Sequence, residues 1–181
     1  MRVIFLPDVL TIILCFLVWP VLQVTAVLIC LYLPDRYFSP DSFFFRAHRF
    51  EKEGRIYDSV FRVSRWKHLL PDGGAILKKR GFKKKKIKDH SKENLNRFLV
   101  ESARGEITHW LAILPFWVFG FFTPPRVIWY MFVYALLVNL PCIIAQRYNR
   151  PRVLNLLNRM EHKNQINYFV KSEVTAHETN N

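Results

Sequence analysis

The chain has 181 residues, which is the length of one domain, and it combines 51% apolar residues with 27 lysines and arginines and a net charge of +13. This pairing is unusual in a soluble globular protein and indicates separate apolar and cationic blocks in or on an anionic membrane. The three cysteines, Cys15, Cys30 and Cys142, lie in apolar runs without a C-x-x-C pair, which argues against disulfides or zinc ligands and predicts small buried side chains.

The first predicted element is a membrane helix at about residues 9–33. This stretch contains no charged residue, and as a helix it would be roughly 37 Å long, enough to cross a hydrocarbon core with some tilt. Pro20 can kink the helix, which membrane helices tolerate. A cleaved signal peptide is the alternative, but the apolar run is too long for one and no small-residue cleavage site follows. We therefore predict an uncleaved helix.

Residues 34–107 form a basic segment with 19 lysines and arginines against 10 acidic residues, a net charge of +9. Its aromatic residues cluster in the first half, where they can sit at the level of lipid headgroups. Positions 78–88 are almost purely cationic and are interpreted as a loop over anionic lipid. Nucleic-acid binding is the alternative, but interleaved aromatic residues and a recognisable nucleic-acid-binding fold are lacking. We predict no nucleic-acid partner.

Two further membrane segments are predicted at about 108–123 and 126–145, arranged as a helical hairpin. A helix is expected to begin at Ser91 as its N-cap and to become wholly apolar beyond Trp110. That apolar part is short for a membrane span. It therefore either crosses a thinned region of the bilayer or continues a helix that starts in the membrane–water interface. The T-P-P-R sequence at 123–126 is a turn signal, and the following uncharged run is long enough to cross.

The tail, residues 146–181, is polar, and apolar residues at 153–160 predict a short amphipathic helix on the membrane surface. The whole chain is thus predicted to be a single all-α integral membrane domain in the cell membrane. Because basic loops stay in the cytoplasm, we expect the N-terminus and the Pro-Pro turn outside, and residues 34–107 and the tail inside.

The first of three polar clusters predicted at the cytoplasmic boundary is R-W-K-H-L-L-P-D-G-G at 65–74. His68 and Asp72 are similar to the H-x-x-x-x-D pattern of glycerolipid acyltransferases, although their spacing is one residue shorter. A turn with an incidental histidine is the alternative interpretation.

The second cluster is E-S-A-R-G-E-I-T-H-W at 101–110. Ser102, Glu106 and His109 recur at helical spacing and so share one face. Glu106 is predicted to hold one ring nitrogen of His109, which would leave the other nitrogen to act as a general base. The alternative is a polar belt that only closes the end of a membrane helix.

The third cluster combines Asn139 with the string Q-R-Y-N-R-P-R at 146–152. Its arginines suit a phosphate or a carboxylate. The alternative is an ordinary cytoplasmic anchor after a membrane span. A polar Asn139 inside the apolar run is costly, however, and argues for a functional role of this cluster. The chain has no P-loop, no G-x-S-x-G and no H-E-x-x-H motif, so neither a metal nor a bound cofactor is predicted.

Taken together, the clusters resemble the glycosyl-4,4'-diaponeurosporenoate acyltransferases over roughly residues 30–155. The residues that carry the resemblance are Pro34, Asp35, Tyr37 and Phe38; Arg65, Trp66, Lys67, Leu70, Pro71, Asp72 and Gly73; Arg104, Glu106, His109 and Trp110; Asn139 and Pro141; and Gln146, Arg147, Tyr148, Asn149, Arg150 and Arg152. The resemblance implies a membrane enzyme that esterifies the sugar of a glycosylated C30 carotenoid acid with a fatty acyl chain, giving a staphyloxanthin-type pigment.

The resemblance assigns no catalytic residue, so the roles are our own inference. The candidate catalytic residues are His109 and Glu106, with His68 and Asp72 as the rival pair. The candidate substrate-binding residues are Arg104, Trp66, Lys67, Asn139, Gln146, Arg147, Asn149, Arg150 and Arg152. The expected partners are the glycosylated carotenoid, a fatty acyl donor as co-substrate, anionic lipid and other enzymes of the pigment pathway. The alternative function is a non-enzymatic membrane protein that binds lipid or a partner through its basic loop.

Overall fold

The computed structural model describes residues 2–40, 42–70 and 91–179, apart from the side chains of Glu53 and of residues 169–179. Every regular element in these ranges is helical, which confirms the all-α prediction. The α-helices are α1 (Asp8–Tyr32), α2 (Arg55–Phe61), α3 (Val63–Trp66), α4 (Lys92–Ile113) and α5 (Pro125–Thr179). Short 3-10 helices occupy Asp35–Phe38, Arg49–Gly54, Lys67–Leu69 and Leu114–Phe121.

Helix α1 is the first predicted helix. It begins after Pro7 and ends where Leu33 becomes extended, because a residue that precedes proline disfavours helical dihedrals. Only Ala26 and Cys30 are buried along its length. The core helix of a soluble protein would bury such an apolar sequence, so the exposed face of α1 needs a covering of lipid or protein.

The cysteine prediction is confirmed in part. None of the three takes part in a disulfide, but only Cys30 is buried, and Cys15 and Cys142 are half-buried. None of them takes part in a cluster of metal-ligating side chains within the described ranges.

Helix α4 begins where the sequence predicts. The Oγ of Ser91 accepts a hydrogen bond from the backbone N–H of Asn94 at 3.4 Å, which confirms the predicted N-cap. Leu95 and Leu99 are buried on the face of α4 that contacts Leu157 of α5. Helices α4 and α5 therefore lie side by side as an antiparallel pair.

The predicted membrane segment at 108–123 is not one continuous α-helix. Helix α4 ends at Ile113 and tightens into a 3-10 helix in which Pro115 departs from helical dihedrals, since proline lacks an N–H and its ring clashes with the preceding turn. The first arm of the predicted hairpin thus continues α4, which starts among polar residues. Among the described residues, two helices rather than three are long and apolar enough to cross a membrane, Asp8–Tyr32 and the Pro125–Tyr168 part of α5.

Helix α5 is a single helix of 55 residues that runs through Pro141 and Pro151. The predicted separate amphipathic helix at 153–160 is therefore wrong, because this stretch continues the helix of the third segment. Its buried Leu157 packs on α4, so the protein itself covers that apolar face. At about 80 Å, α5 is far longer than a hydrocarbon core, and only its apolar N-terminal part matches that thickness.

The start of α1 and the turn before α5 lie at the same end of the molecule. The backbone N–H groups of Val3 and Ile4 both donate to the carbonyl oxygen of Phe121, at 2.8 and 2.9 Å. The predicted topology also has these two parts of the chain on one side of the membrane.

The segment between α1 and α4 packs on the polar half of α5. Val63 is fully buried against Ile144 and Tyr148. Gly54, at the end of the preceding 3-10 helix, has a φ of +82°, and a Cβ atom there would lie 3.1 Å from the carbonyl oxygen of Tyr148. Glycine is needed at this position for both its dihedral angle and its lack of a side chain.

Replacing Gly54 with alanine is expected to cost about 1–3 kcal/mol of unfolding free energy, because alanine is strained at this positive φ and crowds the backbone of α5. The measurement is denaturant unfolding of the protein in detergent. Val60→Ala, at an exposed position of α2, is the matched control and should change stability by less than about 0.5 kcal/mol. Equal losses in the two variants would contradict the close docking of Gly54 on α5.

Candidate functional site

A row of polar side chains lies between α4 and α5, and we call it the polar seam. Its members are Ser102, Glu106 and His109 from α4 and Asn139, Gln146, Arg147 and Arg150 from α5. The α4 residues share one face, as their spacing predicts. The structure therefore brings the second and third sequence clusters together across one helix interface.

His109 and Asn139 form one pair of the polar seam. Nδ1 of His109 lies 2.9 Å from Oδ1 of Asn139, whose Nδ2 donates to the carbonyl oxygen of Ala135 at 3.0 Å. That second bond turns the amide so that its oxygen faces the imidazole and accepts from Nδ1–H. In the neutral ring, Nε2 is then the basic nitrogen. Asn139 is 1% exposed, so this orientation is held inside the helix pair.

Glu106 does not have the predicted role of holding the ring of His109. Its side chain is fully buried, with Oε1 2.7 Å from Nε of Arg147 and Oε2 2.7 Å from Nη2 of Arg150. Charged guanidinium donors hold a buried carboxylate more strongly than a neutral imidazole N–H does. The acceptor on Nδ1 of His109 is Asn139 instead.

Glu51 is a second buried carboxylate at the seam. It is 2% exposed and accepts hydrogen bonds from the hydroxyl of Tyr57 at 2.6 Å, from Nη1 of Arg147 at 2.8 Å and from the backbone of His48 at 3.0 Å. Burial acts to raise the pKa of Glu51, but the bonds from Tyr57 and Arg147 outweigh it and the pKa is lowered. Sequence reasoning missed Glu51, whose single local signal is the H-x-x-E capping spacing with His48.

Arg147 and Arg150, which the sequence predicts to bind an anion, have acceptors within the protein. Arg147 donates to Glu106, Glu51 and the carbonyl oxygen of Phe44, and Arg150 donates to Glu106 and the carbonyl oxygen of Phe45. Two carboxylates thus meet two guanidinium groups, and their charges cancel. These arginines tie the segment after α1 to the helix pair.

Two other predicted binding residues, Gln146 and Arg104, have internal partners. Ser102 is fully buried and donates from Oγ to Oε1 of Gln146 at 2.9 Å. Arg104 pairs with Asp35 and lies over the ring of Phe38, 4.9 Å from its centroid. Arg104 therefore fastens the short helix after α1 to α4.

Lys67 and Arg152, which we call the basic pair, lie against the ring of Tyr148. Nζ of Lys67 is 4.7 Å from the ring centroid and donates to Oδ1 of Asn149 at 2.9 Å. The guanidinium carbon of Arg152 is 3.6 Å from the same centroid, and its Nη1 donates to the backbone of Tyr148 at 2.7 Å. The structure thus brings residues of the first and third sequence clusters together.

The remaining predicted residues lie apart from the seam or outside the described ranges. The indole N–H of Trp66 donates to the carbonyl oxygen of Phe61 at 2.8 Å, and its side chain packs against the cluster that includes Val63 and Tyr148. His68 is exposed in a short 3-10 helix. Its proposed partner Asp72 and the cationic stretch at 78–88 lie outside the described residues.

Comparisons with known proteins agree with the resemblance carried by the three clusters. The model of the glycosyl-4,4'-diaponeurosporenoate acyltransferase family matches residues 40–159. The chain is similar to the proteins of that name from Staphylococcus aureus strain Newman, at 32% identity, and strain COL, at 31%. Each alignment spans 150 residues, which are 82% of this chain and 89% of the relative. No solved structure matches the chain.

Proposed function

Because the chain belongs to the glycosyl-4,4'-diaponeurosporenoate acyltransferase family, we propose that it transfers a fatty acyl chain to a sugar hydroxyl of a glycosylated C30 carotenoid acid. The product is an ester of the kind found in staphyloxanthin-type pigments. The observation that carries the residue-level proposal is the pair formed by His109 and Asn139. It supplies an oriented imidazole between two helices that both lead into an apolar region.

The reaction needs a base, since a sugar hydroxyl is a poor nucleophile at neutral pH. Asn139 holds the Nδ1–H of His109, so Nε2 is the nitrogen that takes the hydroxyl proton as the oxygen attacks the acyl carbonyl. The imidazolium then returns the proton to the leaving group of the donor. Asn139 is a positioning residue in this proposal, and the carboxylates of Glu51 and Glu106 maintain the helix pair that carries it.

The position of His109 suits substrates carried by a membrane. Asn139 lies seven residues before Gln146 on α5, or about 10 Å inside the polar end of the apolar run. A polyene and an acyl chain could both stay among the exposed apolar side chains of α1 and α5 while their reactive ends reach the imidazole. The membrane location and the topology are part of the proposal.

The function is tested by expressing the chain in a host that makes the glycosylated carotenoid. We expect a new pigment whose mass exceeds that of the precursor by one fatty acyl group less the water lost on esterification. The host with an empty vector is the control. A carotenoid of unchanged mass, with the protein present in the membrane fraction, would contradict the proposal.

The topology gives a separate prediction in a background where Cys15, Cys30 and Cys142 are replaced by alanine. A membrane-impermeant maleimide should label Arg126→Cys, in the turn before α5, on intact cells. It should label Lys163→Cys, at an exposed position of the tail, only after permeabilisation. This expectation follows from the basic residues that flank the apolar helices. Labelling of Lys163→Cys on intact cells would reverse the proposed orientation.

A further inference from the structure

The basic pair differs from the seam arginines in its charge balance. Arg147 and Arg150 are neutralised by two buried carboxylates. None of the ion pairs among the described residues involves Lys67 or Arg152, and the nearby Asp58 acts on both of them only at longer range. Two cations held close to one ring repel each other unless an anion joins them.

Among the described residues, the basic pair has more hydrogen-bond donors than acceptors that they meet. From the described part of the chain, Nζ of Lys67 meets one acceptor, on Asn149, and the guanidinium group of Arg152 meets one, on Tyr148. An ammonium group carries three N–H donors and a guanidinium group carries five. Burial and, after it, the neighbouring Arg152 lower the pKa of Lys67, against a smaller opposing effect of Asp58.

The distance from the basic pair to His109 restricts the kind of anion. Asn149 and Arg152 follow Asn139, the partner of His109, by ten and thirteen residues of one helix, which corresponds to about 15–20 Å. In a phospholipid, only a few bonds separate the phosphate from the ester carbonyl. In a phosphopantetheine thioester, a long flexible arm separates the phosphates from the acyl carbonyl, and that arm can bridge this spacing.

We infer that Lys67, Asn149 and Arg152 form the phosphate subsite for an acyl donor of the phosphopantetheine thioester class. The inference rests on the proposed function in placing the reactive carbonyl at His109. The C–S bond of the thioester breaks as the sugar oxygen forms the new C–O bond, and the hydroxyl proton passes through His109 to the thiolate. The phosphates stay at the polar part of α5, and the acyl chain enters the apolar part.

The test is calorimetric binding of coenzyme A to the full-length protein in detergent micelles. Lys67→Met and Arg152→Gln should each weaken binding about tenfold or more, because each removes a charge-assisted contact to phosphate. Arg159→Gln, which removes a charge from an exposed position of the same helix, is the matched control and should bind as the unaltered protein does. Dihexanoyl phosphatidylglycerol serves as the phospholipid probe in the same assay.

Three results would overturn the inference: no binding of coenzyme A by the unaltered protein, an equal loss in the Arg159→Gln control, or binding of the phospholipid probe in place of coenzyme A. His109→Ala should bind coenzyme A normally, since His109 is remote from the phosphates. Selective binding at the basic pair without any acylated carotenoid in cells would reject the proposed substrate and leave the subsite standing. Acylation of the carotenoid in cells without binding of coenzyme A at the basic pair would reject the subsite and leave the proposed function standing.

Discussion

Replacing Glu106 with glutamine is expected to lower the free energy of unfolding by about 3–5 kcal/mol, which is the usual cost of removing one partner from a buried ion pair. The amide keeps the shape of the side chain but leaves Arg150, whose side chain is 4% exposed, without its carboxylate. Arg147 would retain only its ion pair with Glu51. The measurement is denaturant unfolding in detergent, followed by helical circular dichroism.

Two further variants separate this electrostatic effect from a general effect of substitution in α4. Glu93→Gln removes the same charge from an exposed position of the same helix and should change stability by less than about 0.5 kcal/mol. The double variant Glu106→Gln with Arg150→Met should recover part of the loss, because it also removes the stranded cation. A Glu106→Gln protein as stable as Glu93→Gln would show that the carboxylate does not hold the helix pair together.

The sequence predicts those parts of the fold that depend on local signals. An uncharged run of sufficient length predicts α1, and the serine at position 91 predicts the start of α4. The prediction of a second span followed the apolar run and gave no weight to Pro115, a local signal that lies just beyond the end of α4. The uninterrupted course of α5 past Pro151 depends on packing of Leu157 against α4, which a one-dimensional pattern does not contain.

In the candidate site, too, local signals identify individual residues, but the contacts between them depend on residues far apart in the sequence. Asn139 and His109 stand out in the sequence as polar residues in or beside an apolar run, yet their pairing joins residues 30 positions apart. Helical spacing favours a contact of Glu106 with His109, but two arginines more than 40 positions away compete for the same carboxylate and hold it. Glu51 lies 96 residues from Arg147, and the local sequence does not distinguish it from the other acidic residues of the basic segment.

Replacing His109 with alanine is expected to lower the rate of carotenoid acylation by about 10²- to 10⁴-fold, the usual contribution of a positioned general base. The measurement is the ratio of acylated to unacylated carotenoid over time, at a protein level matched by immunoblot. Asn139→Leu should give a smaller loss, because it removes the group that orients the ring and leaves the base in place. Unfolding curves for both variants check that the loss is not one of folding.

The rival histidine supplies the decisive comparison. His68 is exposed, and its proposed partner Asp72 lies outside the described residues, whereas Nδ1 of His109 has a defined acceptor on Asn139. His68→Ala should therefore only weaken acylation. A larger loss for His68→Ala than for His109→Ala would transfer the base to the loop after α3. Full activity in both variants would exclude both histidines as the general base.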